Sequence, residues 1–157
     1  MYKKVLLAVD GSDNARRAAQ KVIEIKKAAD CEVIAFFSTR HRMIPPKIPT
    51  AVPIGNTYNY SIPTEAYNEI RDAYINRGKT ILNETKKLFE EENLSIATRL
   101  IKDENPARYI ERAVKEEDFD LVALGCKGEH SKVEELLLGT VSEKVLNKAP
   151  CDVLIVR

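Results

Sequence analysis

Short apolar runs alternate along this chain with longer stretches in which apolar side chains return every three or four positions. That alternation predicts strands separated by helices, and hence a parallel sheet covered by helices on both faces. Val5–Val9 is apolar throughout and predicts a first strand. From Asp13 to Ala29, apolar or small residues at 15, 18, 19, 22, 23, 25 and 28–29 follow a helical period. Val33–Phe37 is apolar on both faces, as a buried parallel strand must be. Helix returns near Thr64 with Ile70, Tyr74, Ile81, Thr85 and Leu88 on one face, and fades at Glu91-Glu92-Asn93. Tyr67, Tyr74 and Leu88 read as core. Leu94–Leu100 alternates well enough for a third strand near an edge. Pro106 suits a first helical position, and Ile110, Ala113 and Val114 continue that helix. Leu121–Leu124 predicts a fourth strand ending at Gly125. A helix over 132–148, interrupted at Gly139, stops at Ala149-Pro150, and Val153–Val156 predicts a fifth strand.

One segment breaks the pattern. Residues 40–63 have no sustained period and hold five of the seven prolines (45, 46, 49, 53 and 63), which reads as an insertion in a single domain spanning 1–157. It leaves the carboxyl end of the second strand, so Tyr58, Tyr60 and Ile62 belong either to a lid or to a plain loop.

Composition narrows the function. Charge is balanced, 25 basic against 24 acidic residues, with no basic stripe for nucleic acid. No apolar run approaches the roughly 18–20 residues of a membrane span. Val5–Val9 is too short for a signal peptide, so a cytoplasmic location is expected. Cys31, Cys126 and Cys151 are an odd, scattered set without a CxxC pair, which argues against a disulfide framework or a zinc site. Cys31 and Cys151 read as core thiols. Histidine is scarce: His41 lies in the insertion and His130 beside the glycine-rich loop described next.

Ligands of open parallel sheets bind beyond the carboxyl strand ends, where neighbouring loops diverge. Two of those ends carry suitable chemistry. The first strand closes in Asp10-Gly11-Ser12-Asp13, where Gly11 permits a tight turn and Ser12 or Asp13 can cap a helix. Asp10 either bonds its own turn or accepts from a ligand hydroxyl or amine. The fourth strand closes in Gly125-Cys126-Lys127-Gly128, whose glycines either form a plain turn or let backbone N–H groups approach an anion. Downstream, Thr140-x-x-Glu143 has the form of a capping box after Gly139, and a helix N-terminus there favours phosphate. Thr140 and Ser142 can cap that helix or donate to phosphate. Ser131-x-x-Glu134 repeats the pattern upstream.

Taken in order, these residues resemble the universal stress protein family: a strand ending in Val9-Asp10-Gly11-Ser12, Asp120 before the fourth strand, Gly125-x-x-Gly128, a spacer, Gly139-Thr140-Val141-Ser142, and a closing strand from Ala149 to Arg157. The likeness covers the chain apart from 40–63. The spacer Glu129–Leu138 has ten residues, one more than the pattern of ATP-binding members. The resemblance implies strand order 3-2-1-4-5 and ATP as ligand, with Mg2+ as its companion. It implies that Asp10 meets the adenosine end, with Ala8 and Val9 lining the pocket and Ser38 beside the base. Leu124 and Gly125 would flank the ribose, and Gly128, Gly139, Thr140, Val141 and Ser142 would lie at the phosphates. Lys127 stands where His or Arg is common, either neutralising phosphate or solvated. Homodimerisation through the strand 151–157 and an unspecified signalling partner are implied as well.

Competing chemistries fit worse. Neither G-x-x-x-x-G-K-[ST] nor G-x-G-x-x-G occurs, which removes P-loop and dinucleotide-binding readings. Ser12 stands where a haloacid-dehalogenase-like phosphatase needs a second aspartate, and Leu100-Ile101-Lys102-Asp103 fits a receiver domain poorly. No general base for a γ-phosphate is evident, so the expectation is a nucleotide-responsive switch with at most slow hydrolysis. The alternative is a nucleotide-free dimeric interaction module of the same fold.

Overall fold

Leu6 and Leu7 point to opposite sides of one strand, and neither exposes any surface. A strand of that kind must be covered twice. A computed structural model, describing residues 1–40, 64–128 and 138–157, covers it so. The elements in chain order are β1 (Lys4–Ala8), α1 (Asp13–Ala28), β2 (Glu32–Ser38), α2 (Thr64–Glu90), β3 (Ala97–Ile101), α3 (Pro106–Glu117), β4 (Leu121–Gly125), α4 (Thr140–Lys148) and β5 (Asp152–Val156). The strands form a five-stranded sheet in the order β3-β2-β1-β4-β5, and every pairing is parallel. The predicted α/β architecture and strand order are therefore found.

Strand alternation divides the core in two. Val5, Leu7 and Val9 pack against Ala18, Ala19 and Val22 of α1 and Ile81, Leu82 and Phe89 of α2. Leu6, Ile34 and Phe36 face the other way, against Tyr109, Ile110 and Ala113 of α3 and Val145 of α4. Small residues on α1 bring it close to the sheet. Ser12 caps α1, its hydroxyl accepting from the Ala15 amide at 3.2 Å. Asn105 caps α3 through the amides of Ala107 and Arg108, with Pro106 opening the helix as expected.

Three sequence expectations shift. The third strand begins at Ala97, not Leu94, because Leu94 closes α2: its amide donates to the Phe89 carbonyl at 2.9 Å, behind Asn93 in the left-handed region. Along α2, full burial begins only at Gly78, so Tyr67 and Tyr74 are half-buried and Ile70 is exposed, not core as their spacing predicts. Cys31 is a core thiol, but Cys151 is half-buried at the start of the edge strand. The insertion residues 41–63, with His41, Tyr58, Tyr60 and Ile62, lie outside the described residues, as do His130, Ser131 and Glu134. Of the expected helix 132–148, α4 accounts for Thr140–Lys148.

The amino ends of the strands are tied by side chains. Asp120 accepts from the amides of Lys3 at 2.7 Å and Lys4 at 3.0 Å. Glu117 takes both arms of the Arg99 guanidinium, at 2.6 and 2.8 Å, while Lys4 Nζ donates to its backbone carbonyl.

Candidate functional site

β1 lies between β2 and β4, and the chain runs outward from it in both directions, so the strand order reverses there. The loop after β1 turns to the face of α1, and the segment after β4 leads to α4 on the opposite face. In open parallel sheets such a separation leaves a crevice at the carboxyl edge, and here that edge lies between β1 and β4.

Asp10 stands on the β1 side of this crevice. Its Oδ1 accepts from the Ser12 amide at 3.0 Å, so the own-turn reading of this carboxylate is correct as far as that oxygen goes. Its other oxygen, Oδ2, faces Gly128 closely: a Cβ built on Gly128 would lie 2.7 Å from it. The glycine therefore brings backbone up to the carboxylate. Gly11 makes the turn with φ of 86°, a conformation L side chains resist.

The opposite side is built on Cys126. Its amide donates to Val156, tying the segment to β5. Its carbonyl accepts from the Gly139 amide at 2.7 Å, and Ser142 Oγ lies 2.7 Å from the same oxygen. These contacts bring the N-terminus of α4 beside the end of β4. Gly139 is the N-cap residue in extended conformation, and no side chain among the described residues caps the helix. Thr140 is thus the first helical residue and not the cap that the Thr140-x-x-Glu143 pattern predicts. A glycine cap puts no side chain of its own over the first-turn N–H groups, where the positive end of the helix dipole favours an anion.

The remaining candidates fall unevenly. Ala8 is half-buried on the α3–α4 face, whereas Val9 turns into the α1–α2 core and is only 6 % exposed. Leu124 is buried on the α3–α4 face, so it can offer a ligand its backbone alone. Val141 is half-buried, Thr140 exposed and Lys127 half-buried. Two hydroxyls are committed to backbone. Ser38 donates to the Glu104 carbonyl at 2.6 Å and accepts from the Arg40 amide. Ser142 is 2 % exposed, and its Oγ also lies 2.9 Å from the Gly139 carbonyl. Asp10, Gly125, Lys127, Gly128 and Gly139 are brought to one crevice. Asn14 joins them without any motif to announce it. Its amide nitrogen lies 3.4 Å from both Cys126 Sγ and the Lys127 carbonyl, which a polar residue in the first turn of a capped helix does not reveal from sequence.

Among the described residues no cluster of three or more His, Cys, Asp or Glu side chains is placed to hold a metal. A shallow, open depression of about 610 Å³ lies at the opposite edge, between Tyr2, Phe119, Asp120, Cys151 and Asp152. It lacks converging backbone donors: Tyr2 donates to Asp152, and Asp120 is occupied by Lys3 and Lys4. The carboxyl-edge crevice is the better site.

An open parallel α/β sheet whose strand order reverses beside glycine-bearing strand ends defines the class of doubly wound α/β domains. Within that class the match is specific: residues 1–157 match the model of the universal stress protein family, and the chain belongs to that family. It is 31% identical to the universal stress protein YxiE of Bacillus subtilis over 157 residues, covering all of both chains. It is 30% identical to the universal stress protein MJ0531 of Methanocaldococcus jannaschii, covering all of this chain and 83% of the relative. The solved structure of MJ0577 superposes with a TM-score of 0.77 at 26% identity, covering 99% of this chain and 96% of that one. Two more distant structures share the fold: a universal stress protein in complex with cAMP (TM-score 0.65, 23% identity, 99% and 97% covered) and one from Archaeoglobus fulgidus in complex with dAMP (TM-score 0.63, 19% identity, 99% and 98% covered).

Proposed function

We propose that this chain binds an adenine nucleotide, ATP, at the carboxyl edge between β1 and β4, and acts in the cytoplasm as a nucleotide-responsive regulatory switch. The observation that carries the reading is the approach of Asp10 Oδ2 to Gly128, across from a helix N-terminus whose cap residue is Gly139. A carboxylate suits the hydroxyls and amine of an adenosine, and bare backbone amides beside a helix N-terminus suit phosphate. Ala8, Val9, Ser38, Leu124 and Gly125 would surround the nucleoside, and Lys127, Gly128, Gly139, Thr140, Val141 and Ser142 the phosphates. The cAMP and dAMP held by the two distant relatives support the ligand class. Mg2+ would arrive on the ATP phosphates, since this cation keeps its waters and needs few protein ligands.

Efficient hydrolysis is not part of this reading. Asp10 is bound to its own turn and assigned to the adenosine end, and a γ-phosphate needs a base or a held water of its own. Apolar β5 lies at a sheet edge, an arrangement that favours pairing with a second copy into a homodimer that presents the switch to a signalling partner. Light scattering at micromolar concentration tests this, and a monomeric mass refutes it.

One observation favours the nucleotide-free module instead: Ser142 places its hydroxyl against the Cys126 and Gly139 carbonyls rather than toward the crevice. Mass spectrometry of small molecules released from the denatured protein, followed by titration calorimetry with ATP, separates the readings. Released ATP or ADP, or calorimetric binding, supports the switch. A protein that arrives empty and ignores added ATP leaves the module.

A further inference from the structure

Both sides of the crevice meet at a residue that belongs to neither motif. Asn14, in the first turn of α1, lies four positions after Asp10, and its side-chain nitrogen is 3.4 Å from Cys126 Sγ and 3.4 Å from the Lys127 carbonyl. The distance is ordinary for a sulfur acceptor and long for oxygen, and the two amide hydrogens serve one acceptor each. The β4 end also presses on this turn. A Cβ on Gly125 would fall 2.8 Å from Asn14 Cβ and 2.8 Å from the Ala15 nitrogen, so glycine is needed for the contact. Cys126 in turn receives α4 through the Gly139 amide and Ser142 Oγ. A single chain of contacts therefore runs from α1 through Asn14 and Cys126 to the N-terminus of α4.

We infer that Asn14 is a positioning residue of the nucleotide crevice: its amide braces the β4 end, and α4 behind it, against the turn that carries Asp10. Asn14 touches no nucleotide in this role. It sets the gap between Asp10 and Gly128 and the place of the α4 N-terminus, which is the phosphate half of the proposed site. The inference rests on the nucleotide reading.

Asn14→Leu and Asn14→Ala test it. Leucine has nearly the shape of asparagine, cannot donate to Lys127, brings no charge to the phosphate half and is a good helix former, so Asn14→Leu keeps the helix while removing the brace. Circular dichroism checks folding, and calorimetry measures ATP and adenosine on each protein. The expected result is about tenfold weaker ATP binding with adenosine changed less than about twofold, the scale of one lost hydrogen-bonded contact. Cys126, 4 % exposed, should also alkylate faster with iodoacetamide in both variants, as read by peptide mass mapping without nucleotide present. A brace that matters only to folding would lower both affinities together, and that result overturns the inference. So do an unchanged ATP-to-adenosine ratio and an unchanged Cys126 rate in folded variants, while the nucleotide reading survives. Wild-type protein that binds neither ligand overturns the nucleotide reading itself, and the inference with it.

Discussion

Two aspartates mark opposite edges of the same sheet. Asp120 precedes β4 at its amino end and divides its oxygens between the amides of Lys3 and Lys4, so its bonding capacity is turned onto the neighbouring strand. Asp10 follows β1 at its carboxyl end, gives Oδ1 to Ser12 and holds Oδ2 toward Gly128. The same chemical group is a clamp at one edge and a candidate ligand acceptor at the other. The cause is the path of the chain. At the amino edge β1 and β4 begin side by side, bonded through the Asp120 amide and the Lys4 carbonyl, and the carboxylate finds backbone N–H groups at once. At the carboxyl edge the connections leave toward opposite faces, so Asp10 bonds its own turn on one side and faces the Gly128 backbone on the other.

The comparison is broken most forcefully at Gly128. Gly128→Val puts a side chain within 2.7 Å of Asp10 Oδ2, so ATP affinity should fall by more than about a hundredfold, roughly 3 kcal/mol, in calorimetry. Far-UV circular dichroism should stay unchanged, because Gly128 is exposed. Asp120→Ala is expected to do the reverse. Loss of two charge-assisted bonds in a partly exposed setting should cost about 2 kcal/mol, or roughly 5 °C in thermal midpoint, with ATP affinity unaltered. If Asp120→Ala weakened ATP binding tenfold, the separation of edges would be wrong.

Asp10→Asn sharpens the contrast within one residue. Asparagine retains an oxygen for the Ser12 amide and loses the second acceptor, so ATP binding should weaken about tenfold while urea stability stays within about 0.5 kcal/mol. The smallest effect belongs to Glu117 at the amino edge. The bidentate bond from Arg99, with Lys4 nearby, holds its carboxyl below the usual glutamate range. A lowered folded pKa stabilises above the unfolded value of about 4.3 and loses that contribution as pH falls through the folded value. Glu117→Gln should therefore cost about 1 kcal/mol at pH 7, after allowing for solvent screening, and the gap to wild type should close below about pH 4 in urea titrations. A gap that persists at pH 3 would contradict the charge-based account.

Much of this was legible in the chain. The apolar runs located all five strands, the Ser12 and Pro106 signals placed the starts of α1 and α3, and the strand-end residues pointed to the crevice. The misreadings have physical causes. Leu94 looked like strand because a helix-ending turn also buries an apolar residue just past a left-handed one. Thr140 looked like a cap because Thr-x-x-Glu marks a helix start, but Gly139 takes the cap position. Tyr67, Ile70 and Tyr74 keep helical spacing with the core residues of α2, yet they precede Gly78, where full burial begins. Spacing reports a face and not how far a helix extends past its sheet.

Local patterning was sufficient for the sheet, its two-sided core and the edge where a ligand belongs, because strand burial and helix capping are properties of a few adjacent residues. The pairing of Asp10 with Gly128, the contact of Gly125 with Asn14, and the use of Cys126 to hold α4 join residues more than a hundred positions apart, or across a loop. Those depend on which backbone lies beside which once the strands have assembled. For the same reason only the assembled fold could turn one aspartate into a clamp and leave the other facing a crevice.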